Sequence, residues 1–590
     1  DLTDNEKFII HMEKAPAGTD SLTINKSTRT RTTMDLSWEK PAGIYTNTEL
    51  WQKNPDAADF VKIADLAGEV SYQVTDLQPG LTYTFKLRFI NGNGDPTDTT
   101  YYSESNEATA ATRIGEKPST PENLSIEDVD GQKLVITWDP AQNATHYRVL
   151  RAESMLAEYQ EIGEVDENRL EYPYTGDKYA NYFRVVALND DDDESGDGEG
   201  IEASDESAHI SLETQMFGDH TLVFAPTDDI KKIDETLAEI YKSAHDKNAD
   251  AQFKGEHWQI YFKPGDYTET SCIGLGFYTA INGLGQTPYE VKLNNVEIPD
   301  YLGENNATCN FWRSMENVSI IDTGNAQGKA ANWRPDWLNW AVAQEAPLRR
   351  VYSQRPIAYD WNYGWASGGY VADCYLAGVD GEGNGAGTWS GQQFYTRNTK
   401  VDGKVFGTTL NNFFQGVVAP NLPDALEVTA GKAVELKSGE GYSNWKMLDE
   451  QGKQKVFTNI ENTKKIAEKP FLYMEGGEYQ IFVPAVRENT KGTSWSENNM
   501  GEGKSVSLDT FYFAKPTDSA AVINEQLAAG KNIYFTPGIY HAEETIRVTK
   551  ADTILLGTGL ATIIPDNGDA AMRIADVDGV RVAGLVFDAG

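Results

Sequence analysis

The stretch Ile260-Tyr-Phe-Lys-Pro-Gly-Asp-Tyr267 occurs a second time, slightly altered, as Ile533-Tyr-Phe-Thr-Pro-Gly-Ile-Tyr540. Each copy is preceded by an apolar run, a Pro-Thr-Asp or Lys-Pro-Thr-Asp turn and a helical pattern, at Thr221–Ala244 and at Thr510–Ala529. Self-similarity on this scale indicates a chain built from repeated structural units. The region beyond residue 217 therefore contains two copies of one architecture.

After each Pro-Gly-x-Tyr segment the sequence changes to short apolar runs separated by glycine, asparagine and aspartate. These runs are Val291–Leu293, Val318–Ile321, Thr553–Leu556, Thr562–Ile564, Met572–Ala575, Val580–Val582 and Leu585–Phe587. No helical pattern intervenes, which argues against parallel strands joined by crossover helices. Short, regularly turned strands suit instead a right-handed coil whose successive turns pair in parallel. We predict an all-β fold in which a parallel β-helix forms two lobes, each covered at its open end by its own helix.

The region before residue 212 has the pattern of two β-sandwiches in tandem. In the first, the turn Leu77-Gln-Pro-Gly-Leu-Thr-Tyr83 opens a strand in the manner of a tyrosine corner, and Trp38 is the predicted core tryptophan. A linker, Gly115–Pro121, leads to a second set of strands that contains Trp138 but lacks this turn pattern, and we assign Tyr182 to the equivalent position. Both units resemble fibronectin type III modules.

The segment Phe217–Gly590 resembles the two-lobed parallel β-helix, of the pectin lyase-like kind, of glycoside hydrolase family 55. The resemblance rests on the helix and the Pro-Gly-x-Tyr strand that open each copy. It implies that the second lobe is truncated at Gly590 and that the catalytic glutamate of the family lies beyond this residue. The predicted domains are two fibronectin type III-like sandwiches, the first β-helix lobe and the start of the second lobe, at 1–115, 116–212, 217–505 and 506–590.

Composition excludes several classes of function. The chain has 590 residues and a formal net charge of -39, so it repels polyanions and is an improbable nucleic-acid partner. Its three cysteines do not make a disulfide framework, and its histidines lack the spacing of a zinc site. The acidic loop at 190–199 could collect calcium, but it lacks the register of a calcium-binding loop and we predict no metal there. No motif for an organic cofactor is present.

Aromatic side chains mark the candidate substrate site. Seven of the thirteen tryptophans lie between Trp312 and Trp389. Indole rings are too wide for a narrow β-helix interior, and sugar rings pack well on exposed indoles, although several of these rings are expected only to pack loops. The residues predicted to bind substrate are Trp333, Trp337, Trp361, Trp365, Trp389, Gln392 and Gln393. The two glutamines either hold sugar hydroxyls or form a polar ladder along the stacked turns.

The carboxylates considered among these tryptophans are Asp336, Glu345, Asp360, Asp373, Asp380 and Glu382. A glycosidase needs two, one protonated and one ionised, held roughly 5 to 10 Å apart. We select Asp360 and Asp373 as the catalytic pair because they bracket a glycine-containing loop that can approach a ligand.

The sequence therefore predicts a secreted or cell-surface glycoside hydrolase that acts on an extracellular neutral polysaccharide such as a β-glucan, since an acidic polymer would share the protein's charge. Two alternatives stay open. A non-catalytic adhesin would use the β-helix as a glycan-binding head. A polysaccharide lyase shares the architecture but normally needs a basic groove.

Overall fold

The computed structural model describes residues 17–43, 45–91, 101–190, 201–245, 251–253, 255–298, 307–325, 336–360, 366–388, 393–407, 412–422, 425, 447–448, 454–455 and 457–589. The chain divides into two compact units. The first comprises Asp1–Arg151, Tyr159–Pro173 and Phe183–His209, and the second comprises Ala152–Glu158, Tyr174–Tyr182 and Ile210–Gly590. Among the described residues, no helix is long and apolar enough to cross a membrane.

The first sandwich has antiparallel strands in two sheets. One sheet holds Thr23–Ile24, Met34–Ser37 and Ser71–Val74, and the other holds Val61–Leu66, Asn47–Lys53, Thr82–Ile90, Tyr102–Glu104 and Ala108–Ala111. Trp38 is buried in the core, and the Tyr83 hydroxyl accepts a hydrogen bond from the Gln78 amide at 3.0 Å. This bond confirms the predicted tyrosine corner.

The second sandwich repeats the arrangement. Its sheets are Ser125–Val129, Lys133–Thr137 and Arg169–Pro173, and Gln160–Val165, His146–Ala152, Tyr182–Asn189 and Glu202–Ala203. Trp138 is buried, but the assignment of Tyr182 to a tyrosine corner was wrong. The Tyr182 hydroxyl instead donates to Glu213, because the segment that would supply a backbone partner has no Pro-Gly turn.

The first β-helix lobe consists of three parallel sheets. The first sheet contains Thr221–Phe224, Trp258–Phe262, Thr279–Gly283, Arg313–Glu316, Pro347–Arg349, Gly369–Ala372, Phe394–Arg397, Asn412–Gln415 and Phe457–Ile460. The second contains Gly265–Tyr267, Val291–Leu293, Ser319–Ile320, Tyr352–Ser353, Tyr375–Leu376 and Lys400–Val401. The third contains Ile273–Gly274, Val296–Ile298, Leu338–Trp340, Ile357–Ala358, Asn384–Thr388 and Lys404–Gly407. Inward apolar residues such as Ile281, Leu293 and Ile298 form the buried core.

The second lobe starts the same three-sheet coil. Its strands are Phe511–Ala514, Asn532–Phe535, Ile554–Gly557 and Arg581–Ala583, then Ile539–Ala542, Thr562–Pro565 and Val586–Phe587, and then Ile546–Val548 and Met572–Ile574. Its strand pairs are parallel, as in the first lobe. The predicted all-β fold, with sandwiches followed by a two-lobed parallel β-helix, is therefore confirmed.

A helix covers the first turn of each lobe, as predicted. The helix Ile230–Ala244 begins at Asp229, whose carboxylate accepts from two backbone amides, and it packs on the strand Ile273–Gly274. A side chain at Gly274 would meet the Tyr241 ring at 2.9 Å, so only glycine permits this approach. The helix Ala520–Ala529 covers the second lobe in the same way. The remaining helices in the part of the chain that the structure describes are Leu212–Phe217 and the short Lys26–Thr28, Ala251–Phe253, Pro288–Glu290, Ala307–Cys309 and Leu508–Thr510.

Antiparallel strands connect the two lobes. They are Thr463–Ala467 with Val486–Thr490, and Phe471–Glu475 with Glu478–Pro484 and Gly503–Ser507. A further antiparallel pair, Met447–Leu448 with Gln454–Lys455, lies before Phe457–Ile460 of lobe one. The lobes also meet directly, because the hydroxyls of Tyr261 and Tyr534 lie 2.6 Å apart. Phe217 is fully buried beside both rings. The lobe junction is therefore a continuous apolar core.

Candidate functional site

One row of residues lies at the start of the strands of the first sheet of lobe one, with one residue before each of six strands. The parallel register aligns these positions on successive turns of the coil. The row, which we call the edge ladder, consists of His257, Tyr278, Trp312, Glu345, Gly368 and Gln393. The His257 end of the ladder borders the second lobe, because the His257 Nδ1 lies 3.0 Å from the backbone oxygen of Gly559.

The backbone of the ladder is strained. Tyr278, Trp312 and Glu345 have φ values of 51°, 55° and 51°, in the left-handed region. Each such non-glycine residue costs about 1–2 kcal/mol. Strain of this kind persists only where the surrounding structure fixes it, and it is concentrated at functional sites. Positive φ also occurs at Asn317, Arg350, Asp373 and Asn398, at the other end of the same strands, so this conformation belongs to the corners of the coil and does not by itself mark a binding site.

Three rings at one end of the ladder form a parallel stack. The ring centroids of His257 and Tyr278 are 4.2 Å apart with an interplanar angle of 21°, and those of Tyr278 and Trp312 are 4.8 Å apart with an angle of 13°. His257 is buried, whereas Tyr278 and Trp312 are half-buried. The exposed part of this stack offers an aromatic surface of the kind that sugar rings bind.

Carboxylates from both lobes lie close to this stack. Burial, followed by the negative charges of Asp588 and Glu345, raises the pKa of the Tyr278 phenol to about 12. Glu345 stands one turn beyond Trp312 on the ladder, and Asp588 belongs to the second lobe. Both side chains are exposed. The site thus combines an aromatic surface with solvent-accessible carboxylates from both lobes, which are residue types that glycosidases use.

A small cavity is lined by strand residues that lie two positions after the ladder residues in the sequence. Its volume is ≈ 90 Å³, and lobe one, the connecting hairpin and lobe two all contribute to its wall. Residues that line it include Gln259, Glu316, Arg349, Lys469 and Gly559. The Gln259 amide oxygen accepts from the Gly559 backbone at 3.0 Å, and the Lys469 ammonium donates to Glu316 at 2.7 Å. The polar groups at the cavity are therefore held in fixed positions.

Asp373, one of the two predicted catalytic residues, is enclosed. It has 0% exposure, and its carboxylate accepts from the backbone N and the hydroxyl of Ser494 at 2.5 and 2.7 Å. The Trp495 indole donates to its backbone carbonyl at 2.7 Å. Burial, together with the Glu468 charge, raises the pKa of Asp373 to about 6. Asp373 therefore links the coil to the segment that connects the lobes.

Asp360 is also fully buried, beyond a strand of the third sheet, whereas Asp373 follows a strand of the first sheet. A general acid must reach the glycosidic oxygen of its substrate. Neither carboxylate has the accessible surface that this requires. The catalytic pairing of Asp360 with Asp373 stays a prediction, and the burial of both side chains counts against it.

The predicted substrate-binding residues have different surroundings. Trp337 is buried, with its ring centroid 6.1 Å from that of Phe406, which is a packing contact. Gln393 is exposed on the edge ladder, where its side-chain oxygen accepts from the Ser367 hydroxyl at 2.9 Å. The other predicted residues, Trp333, Trp361, Trp365, Trp389 and Gln392, lie outside the described residues.

No group of three or more potential metal ligands occurs in the part of the chain that the structure describes. The acidic loop considered for calcium lies almost entirely outside it, since residues 191–200 are not described.

Sequence reasoning missed the residues that the ladder brings together. Tyr278 and Asp588 were not singled out, and Glu345 and Trp312 were noted without being selected. Alignment of the turns would have placed Trp312 beside Tyr278, because each directly precedes a strand of the first sheet. Nothing local could have indicated that Asp588 approaches the same phenol.

Comparisons with known proteins agree with this architecture. Residues 511–590 match the LAM55 pectate lyase-like domain, and residues 16–104 match the fibronectin type III domain. An exo-beta-1,3-glucanase from Streptomyces sp. (strain SirexAA-E / ActE) is 38% identical over 380 residues, which are 63% of this chain and 53% of that protein. The chain thus spans about half the length of this relative.

The solved structure of sacteLam55A from Streptomyces sp. SirexAA-E is similar with a TM-score of 0.51 and 36% identity, over 63% of this chain and 59% of that one. A variant of the same protein, solved in complex with glucose, matches equally. The chain is therefore a two-lobed β-helix protein of the pectate lyase-like class. More particularly, it is similar to glycoside hydrolases of family 55, and its N-terminal region matches the fibronectin type III domain.

We expect His257 to make the lobe junction sensitive to acid. Burial lowers its pKa to about 4, and its Nδ1 lies 3.0 Å from the backbone oxygen of Gly559 in the second lobe. Since the folded protein binds this proton less readily than the unfolded chain, its stabilising effect is complete above the ordinary pKa of 6.5 and is lost as the pH falls toward about 4.

The wild-type protein should therefore lose stability relative to the His257→Gln variant as the pH falls from 6.5 toward about 4. We expect the difference between their free energies of unfolding to decrease by about 2–3 kcal/mol. Denaturant unfolding at a series of pH values measures this difference. A difference that does not change between these pH values would contradict the assignment.

Proposed function

We propose that this chain is the main substrate-binding part of a glycoside hydrolase that acts on a neutral β-glucan, a β-1,3-glucan in particular, by carboxylate acid/base chemistry. The observation that carries the proposal is the edge ladder, where a strained, half-exposed aromatic stack is flanked by carboxylates of both lobes. The 38% identity to an exo-beta-1,3-glucanase supports the choice of substrate.

The geometry suggests how the substrate would bind. The apolar face of a glucose ring packs on the exposed part of Trp312, because His257 and Trp312 cover the two faces of the Tyr278 ring. This contact buries apolar surface without requiring charge. Exposed carboxylates at Glu345 and Asp588, together with the Gln393 amide, accept or exchange hydrogen bonds with sugar hydroxyls. The net charge of -39 favours an uncharged polymer over a uronate. Because such glucans are extracellular polymers, secretion is part of the proposal.

Incubation of the complete protein, together with the sequence that would follow Gly590, with neutral and acidic polysaccharides, followed by product analysis, tests the proposal. We expect products from β-1,3-glucan and none from polygalacturonate. Cleavage of uronates alone would favour a lyase. Glucan binding without any cleavage would favour a glycan-binding surface protein, the adhesin alternative.

Replacing Trp312 by alanine should weaken binding of a β-1,3-glucan oligosaccharide by about 1–3 kcal/mol, since the stack loses its exposed ring. Isothermal titration calorimetry measures the change. Trp51→Ala is a matched control, because Trp51 is also half-buried but belongs to the first sandwich. Equal affinities for the Trp312→Ala variant, the control and the wild-type protein would remove the ladder from the binding site.

A further inference from the structure

The first sandwich has a groove between its two sheets, which we call the sandwich groove. Its volume is ≈ 660 Å³, within the range of about 300–1,000 Å³ that is typical of ligand sites. Ile63, Tyr72 and Leu81 contribute apolar surface to its wall, and Asp56 and Asp76 contribute carboxylates. Ile63 is 39% exposed and Tyr72 is half-buried. The groove therefore leaves apolar side chains of the sandwich accessible to a ligand.

Residues of two edge strands line the groove. Val61–Leu66 and Ser71–Val74 each lie at the end of a sheet, so each has one edge without a neighbouring strand in the part of the chain that the structure describes. The pairing of Val61–Leu66 shifts register between Leu50 and Trp51, and such a bulge interrupts the regular spacing of backbone groups. Ser71–Val74 pairs with Met34–Ser37 in unbroken register. Its outer edge therefore offers backbone groups to which an extended chain can add as a further strand.

The second sandwich has a larger side chain at the equivalent position. Val74 pairs with the residue four positions before the core tryptophan of the first sandwich, and Tyr172 does so in the second. The Tyr172 ring packs edge-on against Phe183, with the ring centroids 5.3 Å apart. Valine leaves unfilled the space that such a ring would take. The groove is therefore a feature in which the first sandwich differs from the second.

Two carboxylates give the groove a negative charge. Asp56 and Asp76 are both exposed, and no lysine or arginine is among the described residues that line the groove. Lys62, on the bulged edge strand, is already paired, since its ammonium lies 3.1 Å from Glu49 and 3.2 Å from Asp65. Opposite charge is what suits a ligand to such a site. The formal net charge of -39 acts in the same direction over the whole chain.

We propose that the first sandwich binds an extended basic peptide segment of a partner protein, which adds as a strand to Ser71–Val74. Alternate residues of a strand point to the same face, so every second residue of the segment enters the groove. Apolar residues of the segment pack against Tyr72 and Ile63, and lysine or arginine residues pair with Asp56 and Asp76. The backbone bonds supply affinity for any extended segment, and the two carboxylates select a basic one.

Fluorescence anisotropy of a labelled nonapeptide, Thr-Val-Thr-Lys-Thr-Val-Thr-Lys-Thr, tests the proposal on the 590-residue chain. We expect saturable binding at least tenfold tighter than that of the same peptide with glutamate in place of lysine. Asp56→Asn/Asp76→Asn should weaken binding of the lysine peptide about fivefold. Asp130→Asn/Asp166→Asn is the matched control, because it makes the same change of charge at two exposed positions of the second sandwich. The control should bind like the wild-type protein.

Val74→Tyr tests the groove itself, because it introduces the side chain that the second sandwich carries. We expect it to weaken binding at least tenfold, and we expect the lysine peptide to slow amide exchange in Ser71–Val74 of the wild-type protein. Should Val74→Tyr not fold, the exposed aspartate pair gives the comparison.

Three results would overturn the proposal. The wild-type protein may not bind the lysine peptide at all. Equal affinities for the wild-type protein and the groove variants, without protection of Ser71–Val74, would show general attraction to an acidic surface. Displacement of the peptide by a β-1,3-glucan hexasaccharide would assign the groove to a sugar.

Discussion

Replacing Glu468 by alanine is expected to destabilise the protein by about 3–5 kcal/mol, because the change leaves buried arginines without their counter-charge. The Glu468 side chain has 2% exposure and lies 2.7 Å from Arg397, 3.5 Å from Arg487 and 3.8 Å from Arg349. Burial alone would raise the pKa of Glu468, but the hydrogen bonds and charges of these arginines hold it below the ordinary value. The carboxylate is therefore ionised and compensates several positive charges at once.

Chemical or thermal unfolding of the variant measures this loss. Glu461→Ala is the control, since its carboxylate is exposed and lies 3.9 Å from the exposed Lys491. A surface pair of this kind contributes about 0–1 kcal/mol. Losses of similar size for both variants would show that the Glu468 cluster is no more stabilising than an exposed ion pair.

Phe217→Ala should also destabilise the protein by about 3–5 kcal/mol, because it opens a cavity where the lobes meet. Phe217 is fully buried, and its ring centroid lies 5.8 Å from that of Tyr261 in lobe one and 5.6 Å from that of Tyr534 in lobe two. The Phe217→Ala variant should also bind glucan more weakly, since the junction positions the edge ladder relative to Asp588.

Phe253→Ala is the matched control for this change. Its side chain is 79% exposed, so truncation should change the free energy of unfolding by less than about 0.5 kcal/mol. A wild-type melting profile for Phe217→Ala would contradict the view that the two lobes share one core.

The fold was predictable because its determinants are local and occur twice. In the first lobe the hydroxyl of Tyr267, the last residue of the Pro-Gly-x-Tyr segment, donates to the backbone oxygens of Phe224 and Lys263 at 3.0 Å each. In the second lobe the Tyr540 hydroxyl donates to the oxygens of Ala514 and Thr536 at 2.7 and 2.9 Å. One short motif thus joins the same two strands in both lobes, and a repeat in sequence reports a repeat in structure.

The site was less predictable because it depends on register between distant turns. Asp373 was selected for its neighbours in sequence, yet its partner Ser494 comes from the segment between the lobes. Glu345 and Asp588 belong to different lobes, so their positions relative to each other depend on how the lobes pack. Aromatic content pointed to lobe one, which also carries the edge ladder. It could not indicate which rings face solvent, as the burial of Trp337 and the half-exposure of Trp312 illustrate.

Hydrogen exchange of the protein with and without a β-1,3-glucan hexasaccharide tests the central claim most directly, because it locates the ligand without assuming a catalytic residue. We predict slower amide exchange in the segments around His257, Tyr278, Trp312 and Glu345, with no change in the fibronectin type III modules. Protection confined to the modules, or to the second sheet of lobe one, would contradict the account.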